Sequence, residues 1–431
     1  MRQIPPGRRA VVVAGLRTPF ARSGTVFKDT RATDLARAVT RELIYRTNLD
    51  GNKVDEVIFG QVIPSPLVGN VAREVSLLPQ LPRTIPAYSL NRACASSAQA
   101  VANASDQIIH GHADVVLAGG VETLSDIPIL HSKKFSDVLV AASRAKTLGQ
   151  RLKLFGSLRP RDLKPVAPAI GEPSTGESMG QSAERMAKEN GISREAQDQV
   201  ALMSHQRAHA ATVDGRITAE IAPWFGGRNM SDVITTDNGV RSDTSLEALS
   251  TLRPAFDRRY GTVTAGNSSP LTDGASVVLM MSAERAFALG YRPLAAIRSY
   301  AVAAVDPSWQ LLSGPAWAVP MALDRAGIGW KELGLVEIHE AFAAQVLSNI
   351  QAWESKAWAE RVGRSVPVGE VDWERTNVMG GSIAIGHPFG ATGARLVTTL
   401  ANEMVRRDVQ FGLISICAQG GMGLAMVLER V

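Results

Sequence analysis

Ser89-Leu90-Asn91-Arg92-Ala93-Cys94-Ala95-Ser96-Ser97 decides the fold of this chain. Ala87 to Leu90 reads as a short strand, and Ala95 to His110 carries the apolar spacing of a helix. A cysteine thus sits in a turn of small residues between a strand end and a helix start. In open α/β sheets, sites lie at such strand ends.

The flanks repeat the theme. Ala10 to Leu16 reads as a buried strand, Thr33 to Arg46 as an amphipathic helix and Val54 to Val62 as a strand. Asp114 to Gly120 is an apolar strand ending in Gly-Gly. Strands alternating with helices predict a largely parallel sheet covered on both faces. The order recurs in the second half. Leu335 to His339 matches 54–62, and Phe411 to Cys417 matches 114–120. Thr376 to Met379, with the glycine-rich turn to Gly393 and the helix from Ala394, matches the unit around Cys94. Two similar α/β halves follow. Between them, helices opening near Gly176 and at Ser193 predict an insertion that covers a site, and 266–274 reads as a turn.

Composition narrows the class. The chain has 431 residues, 45% apolar and 20% charged, with 38 glycines, as in a soluble globular protein of more than one unit. Two cysteines make neither a disulfide framework nor a zinc cluster. They favour a reducing compartment, with no secretory signal at the start. Net charge is +5, but Lys133 to Lys164 holds nine Lys/Arg against Asp137 and Asp162, which is +7, leaving −2 for the rest. That distribution argues against a nucleic-acid-binding surface. Phe135, Val138, Leu139, Ala142, Leu148, Leu152 and Phe155 recur there at near-helical spacing. They read either as helices packed on their own domain with a solvated basic face, or as a surface for lipid or a partner subunit.

Four residues carry the chemistry. Cys94 precedes a helix, whose N-terminal amides lower a thiol pKa; the other reading is a buried structural cysteine. Cys417, in Cys417-Ala418-Gln419-Gly420-Gly421-Met422-Gly423, has the same two readings. His387 lies in Gly386-His387-Pro388-Phe389-Gly390, where glycine lets ligand and backbone approach closely. His339 ends an apolar strand, and Glu340 reads as a cap or as a carboxylate orienting a ring nitrogen. No metal is expected, because the zinc spacing His-x-x-x-His is absent. A thiol nucleophile needs a base, and carbon–carbon chemistry beside a thioester needs a second proton carrier.

The chain resembles the thiolases over nearly its whole length. Arg17-Thr18-Pro19-Phe20, Asn91-x-x-Cys94-x-Ser96, Gly266-Asn267-x-Ser269, Glu340-Ala341-Phe342-Ala343, Gly386-His387-Pro388 and Cys417-x-x-Gly420-Gly421-x-Gly423 occur in the family's order. His339 before Glu340, where Asn is commoner, is similar to the β-subunit of the fatty-acid oxidation trifunctional complex. So are Ser132-Lys133-Lys134, Gln150-Arg151-Leu152-Lys153-Leu154-Phe155 and Ser204-His205-Gln206-Arg207-Ala208.

The resemblance implies two mixed-sheet α/β halves stacked in a five-layer αβαβα thiolase fold. The expected units are an N-terminal half from 1–121 with 250–290, an inserted loop domain 122–249 over the coenzyme A (CoA) site, and a C-terminal half 291–431. It implies an acetyl-CoA C-acyltransferase that cleaves 3-ketoacyl-CoA with CoA at the last step of fatty-acid β-oxidation. Cys94 is then the nucleophile, His387 its base and Cys417 the acid for the enolate. His387 with a water on His339 forms one oxyanion hole, and the amides of Cys94 and Gln419 form the other. Ser269 contacts CoA and Met179 lines the acyl pocket. CoA is a co-substrate, with no permanently bound cofactor. The expected partners are a second copy (a dimer, or a tetramer), an α-subunit with hydratase and dehydrogenase activities, and a membrane surface met through 133–164. The expected location is the bacterial cytoplasm, or the mitochondrion after loss of a presequence. Gln419 replaces a frequent glycine, and Pro270 replaces a usual glycine after Ser269. The alternatives are a biosynthetic acetoacetyl-CoA thiolase, a ketoacyl synthase, which would not need Cys417, and a CoA-binding structural subunit whose catalysis has decayed.

Overall fold

Alternate residues of each core strand face opposite sides, and here both sides are apolar. Val57 and Phe59 join one buried cluster while Ile58 joins another; Leu413 and Ile414 divide in the same way. Every strand must therefore be covered twice, which requires layers of helix on both faces. The computed structural model describes residues 6–165, 171–226 and 231–431; the first five residues and parts of the inserted segment lie outside it.

Nine core strands are β1 (Ala10–Arg17), β2 (Glu56–Gly60), β3 (Ala87–Leu90), β4 (Val115–Glu122), β5 (Thr272–Ser282), β6 (Ala295–Ala304), β7 (Leu335–Ile338), β8 (Phe411–Ala418) and β9 (Met422–Glu429). They hydrogen-bond in the order β7-β8-β9-β6-β1-β5-β4-β2-β3. Only β2/β3, β2/β4 and β7/β8 are parallel, whereas β1/β5, β4/β5, β8/β9, β6/β9 and β1/β6 are antiparallel. The alternation of strands and helices therefore overstated the parallel character. β5 and β9 enter as return strands that no crossover helix supplies. Within the sheet, among the described residues, the two halves pair where Val11 and Val12 of β1 meet Ala296 and Ala295 of β6.

The helices that position the site are α1 (Ala32–Thr47), α2 (Val71–Ser76), α3 (Ser96–Ile109), α4 (Lys133–Arg144), α5 (Leu148–Phe155), α6 (Met179–Glu189), α7 (Arg194–Val213), α8 (Gly314–Ala326), α9 (Ala343–Glu354) and α10 (Thr392–Arg406). Leu35, Val39 and Leu43 of α1 cover the outer face of the first half. Val319 and Leu323 of α8, with Val346 and Ile350 of α9, cover the outer face of the second. Val101 and Ile108 of α3 and Leu396, Val397 and Leu400 of α10 share one cluster with Val116, Val278, Ile414 and Met426 from both halves. This gives five layers, with α3 and α10 in the middle.

Two details differ from the sequence reading. β4 does not end at its glycines but runs through Gly119 and Gly120 to Glu122. A Cβ at Gly120 would stand 2.0 Å from the Gly390 carbonyl oxygen, so the glycine there admits the His387 loop. Thr376 to Met379 is not a strand. Thr376 makes a single parallel bridge to Val336, and Asn377 turns left-handed at φ 48°. The Asn377 side chain then completes the ladder, accepting from Ile338 N at 2.7 Å and donating to Ile338 O at 2.9 Å.

Among the described residues no helix is long and apolar enough to cross a membrane. The basic segment forms two short helices, α4 and α5. Val138 and Ala142 are buried, whereas Leu148 and Leu152 are 72% and 64% exposed.

Candidate active site

The middle layer brings the site together. α3 and α10 meet at their first turns, where a Cβ on Gly393 would lie 2.4 Å from Ala98 N, and Ala394 N donates to Ser97 Oγ at 2.9 Å. Cys94 lies just before α3 and His387 just before α10, so this helix contact draws the two turns onto one another. From the second half, β7 and β8 run parallel, and His339 N donates to Ser415 O at 2.8 Å. Cys417 and His339 therefore arrive at the same end of the sheet.

The turn at Cys94 is held open at a cost. Ala93 has φ 46°, a conformation that disfavours a residue with a Cβ by about 1–2 kcal/mol. Asn91 Oδ1 accepts from Ala93 N at 2.9 Å. Ser96 Oγ accepts from Arg92 N at 2.8 Å and donates to Ala93 O at 2.7 Å. The pattern Asn91-x-x-Cys94-x-Ser96 is thus a set of side chains that clamps the strained peptide presenting the thiol.

Cys94, His387, Cys417, Met179, Ser269 and Gln419 surround one cavity of about 90 Å³, which Leu312, Phe342 and Phe389 also line. His339 stands behind it. Its ring centroid is 4.1 Å from that of His387, inclined at 50°. Sγ of Cys94 and a ring nitrogen from each histidine lie within 4.8 Å of one another. Such spacing would suit a soft divalent cation, but a buried guanidinium, that of Arg395, reaches His339 through Ser382 and opposes added positive charge.

His387 Nδ1 is 2.6 Å from Thr392 Oγ1, and that hydroxyl donates to the Pro388 carbonyl at 3.1 Å. With its own proton spent, Thr392 accepts from His387 Nδ1–H. Nε2 keeps its lone pair with no partner among the described residues, and His387 lines the cavity. Burial first, and the Arg395 charge second, lower the His387 pKa to about 3. Burial, then His387 and Arg395, lower that of His339 as well. Both rings are therefore neutral near pH 7.

The thiols run against expectation. Burial pushes Cys94 up to about 12, although the backbone N–H groups of Gln419 and Cys94 donate toward its sulfur; the Glu122 carboxylate adds to the rise. The helix start does not dominate, because desolvation of a thiolate outweighs two amide hydrogen bonds here. Burial raises Cys417 too, with Cys94 second. The pair is thus a neutral thiol beside a neutral imidazole.

Glu340 is not the N-cap of the helix that follows it, and among the described residues it makes no hydrogen bond to an imidazole; it meets the first turn of the short helix Ser382–Ile385 instead. It accepts from Ser204 Oγ and Asn377 Nδ2, both at 2.7 Å, and from Ile383 N at 3.2 Å, tying α7 of the inserted segment to the glycine-rich loop. Gln419 keeps a backbone conformation open to any residue, the left-handed positions falling on Gly420 and Gly421. The 266–271 turn is pinned by Ser269 N to Ala341 O at 2.9 Å.

A neighbouring cavity of about 310 Å³ was not foreseen. Arg22, Arg241, His205, Ser268 and Pro270 line it, and these residues lie too far apart in sequence to form a motif. Thr392 and Ser382 were also missed, though both sit inside the glycine-rich stretch around His387.

The family described as Thiolase, N-terminal domain, matches residues 10–284, and Thiolase, C-terminal domain, matches 291–430. A 3-ketoacyl-CoA thiolase of Erwinia tasmaniensis is 49% identical over 429 residues, covering 98% of this chain and 97% of its own. One from Photobacterium profundum is 48% identical over 424 residues, with the same coverage. The crystal structure of the Bacillus anthracis acetyl-CoA acetyltransferase superposes with a TM-score of 0.83 at 33% identity, covering 98% of this chain and 99% of that one.

Proposed function

The chain belongs to the thiolase family, and from that premise we propose that it cleaves 3-ketoacyl-CoA with CoA, releasing acetyl-CoA and a shortened acyl-CoA. The observation that carries the reading is the single cavity shared by Cys94, His387 and Cys417, with His387 Nε2 free to take a proton. Relatives at 48–49% identity named as 3-ketoacyl-CoA thiolases weigh more than a structural neighbour at 33%, so the degradative direction is preferred over biosynthetic condensation.

In this reading Cys94 Sγ bonds to the 3-keto carbon as its proton passes to His387 Nε2. The bond between carbons 2 and 3 then breaks, leaving an acyl group on Cys94 and an acetyl-CoA enolate. Cys417 gives its thiol proton to carbon 2. The Cys417 thiolate next deprotonates incoming CoA, whose sulfur takes the acyl group from Cys94, and His387 returns the first proton. Charge develops on oxygen in both halves. A donor such as the Cys94 or Gln419 amide aimed at that oxygen typically contributes about 2.7–4 kcal/mol. His387 and His339 with its water serve the enolate oxygen.

CoA enters past Ser269, and its anionic end lies in the larger cavity between Arg22 and Arg241. Met179 lines the acyl path. CoA acts as co-substrate, with no resident cofactor. The assembly is a homodimer or a tetramer that takes an α-subunit and meets a membrane surface through 133–164, supported by exposed leucines in a segment with nine basic residues.

Thiolysis across a C4-to-C16 ketoacyl-CoA series, with Cys94→Ala as control, tests the reading. Activity in the wild type and its loss in the variant are expected, with CoA binding retained. Turnover surviving without Cys94 would remove the nucleophile from the scheme.

A further inference from the structure

One imidazole, His387, lines the cavity and the second, His339, packs against it from behind, and the hydroxyl beside each ring decides what it offers. A neutral imidazole has one N–H, so whichever nitrogen is committed fixes the state of the other. Thr392 makes His387 an acceptor, as derived above. Ser382 stands in the opposite position. Its Oγ is 2.9 Å from His339 Nδ1 and accepts from Arg395 Nη2 at 3.1 Å. Among the described residues, the acceptor open to the Ser382 proton is His339 Nδ1. With Nδ1 accepting, the hydrogen of His339 resides on Nε2, the nitrogen left without a partner.

Arg395 is fixed for this task. It is buried, and its Nη1 lies 3.5 Å from Glu337 Oε2, on β7 two residues before His339. Residues two apart in a strand share a face. The guanidinium therefore bridges the strand that leads into His339 and the short helix that starts at Ser382.

We propose that Ser382, held by Arg395, is a positioning residue that locks His339 in the Nε2–H tautomer, so that one ring takes a proton while its neighbour only donates a hydrogen bond. The inference rests on the functional reading above. In the other tautomer His339 would turn a lone pair toward a water or oxygen that is gaining negative charge. An asparagine in its place would need no such partner, because an amide always carries N–H. Ser382 is thus a requirement that comes with having histidine at 339.

The test is a double-mutant cycle with an independent spectroscopic arm. Ser382→Ala should lower kcat for thiolysis roughly tenfold to hundredfold, part of the loss seen on removing an oxyanion donor, with KM little changed. In a His339→Asn background the same substitution should cost less than about twofold, since the pair no longer couples. Equal losses in both backgrounds, or none in the wild type, would overturn the proposal. Nitrogen-15 NMR of histidine-labelled protein should show His339 as Nε2–H in the wild type and a tautomer mixture in Ser382→Ala. An Nδ1–H signature in the wild type would also overturn it. A wild type without thiolysis would sink the functional reading alone, because the NMR result still decides the tautomer.

Discussion

Gln419 Nε2 donates to the Gly171 carbonyl at 2.6 Å, joining the turn after Cys417 to the inserted segment. Gly171 bridges Ser178, and Ser178 caps α6, whose first residue is Met179. The Gln419 side chain is therefore a latch on the segment that carries a cavity wall.

Gln419→Gly keeps the backbone amide beside Cys94 and removes the latch. One hydrogen bond contributes about 0.5–1.5 kcal/mol, so the global melting point should move little. Amide hydrogen exchange over 171–179 should quicken severalfold. Unchanged exchange there would show that the latch holds nothing.

Cys94 is a thiol with its pKa pushed up to about 12. Its alkylation by iodoacetamide in the free protein should climb with pH from 6 to 10 without levelling. A rate already at plateau by pH 6 would mean a preformed thiolate–imidazolium pair instead.

Arg17 and Asp237 make a buried two-pronged ion pair, with oxygens at 2.6 and 2.7 Å, and Asp237 also accepts from Phe20 N at 2.7 Å. Removing one partner strands the other charge. Asp237→Ala should cost about 3–5 kcal/mol in denaturant unfolding. A loss below about 1 kcal/mol would contradict the buried geometry.

Stability should also depend on pH in two opposed ways. Burial holds His205 at about 4 and His387 at about 3, against an ordinary 6.5, so below pH 6.5 the unfolded chain binds protons that the folded one refuses. That removes stability as pH falls from 6.5 toward 3. Burial raises Glu122 to about 7 and Glu337 to about 8, against 4.5, so the folded chain holds extra protons and loses stability as pH rises from 4.5 toward 8. Between pH 4.5 and 6.5 the two trends offset one another. Below 4.5 the carboxyl benefit is complete, and the melting temperature should fall most steeply. A flat profile from pH 4.5 to 3 would contradict the buried neutral histidines.

The sequence by itself determined most of the strands and helices, though not the bridge at Thr376, together with the order of the reactive turns and the family. Those signals are local: apolar spacing around Val57 and Leu413, glycine around His387, and small residues around Cys94 each show within a dozen residues. Tertiary structure alone decided which faces meet. Cys94 and His387 converge because α3 touches α10 at Ala98 and Gly393, a contact between residues 295 positions apart that neither helix reveals. It also decided the sign of the thiol shift. A helix start is visible in a sequence, but burial depends on how many layers close over the sulfur, and that desolvation outweighed the amides. The roles of the two histidines likewise depend on Ser382 and Thr392, whose hydroxyl protons are directed by Arg395 and the Pro388 carbonyl, partners that only packing supplies.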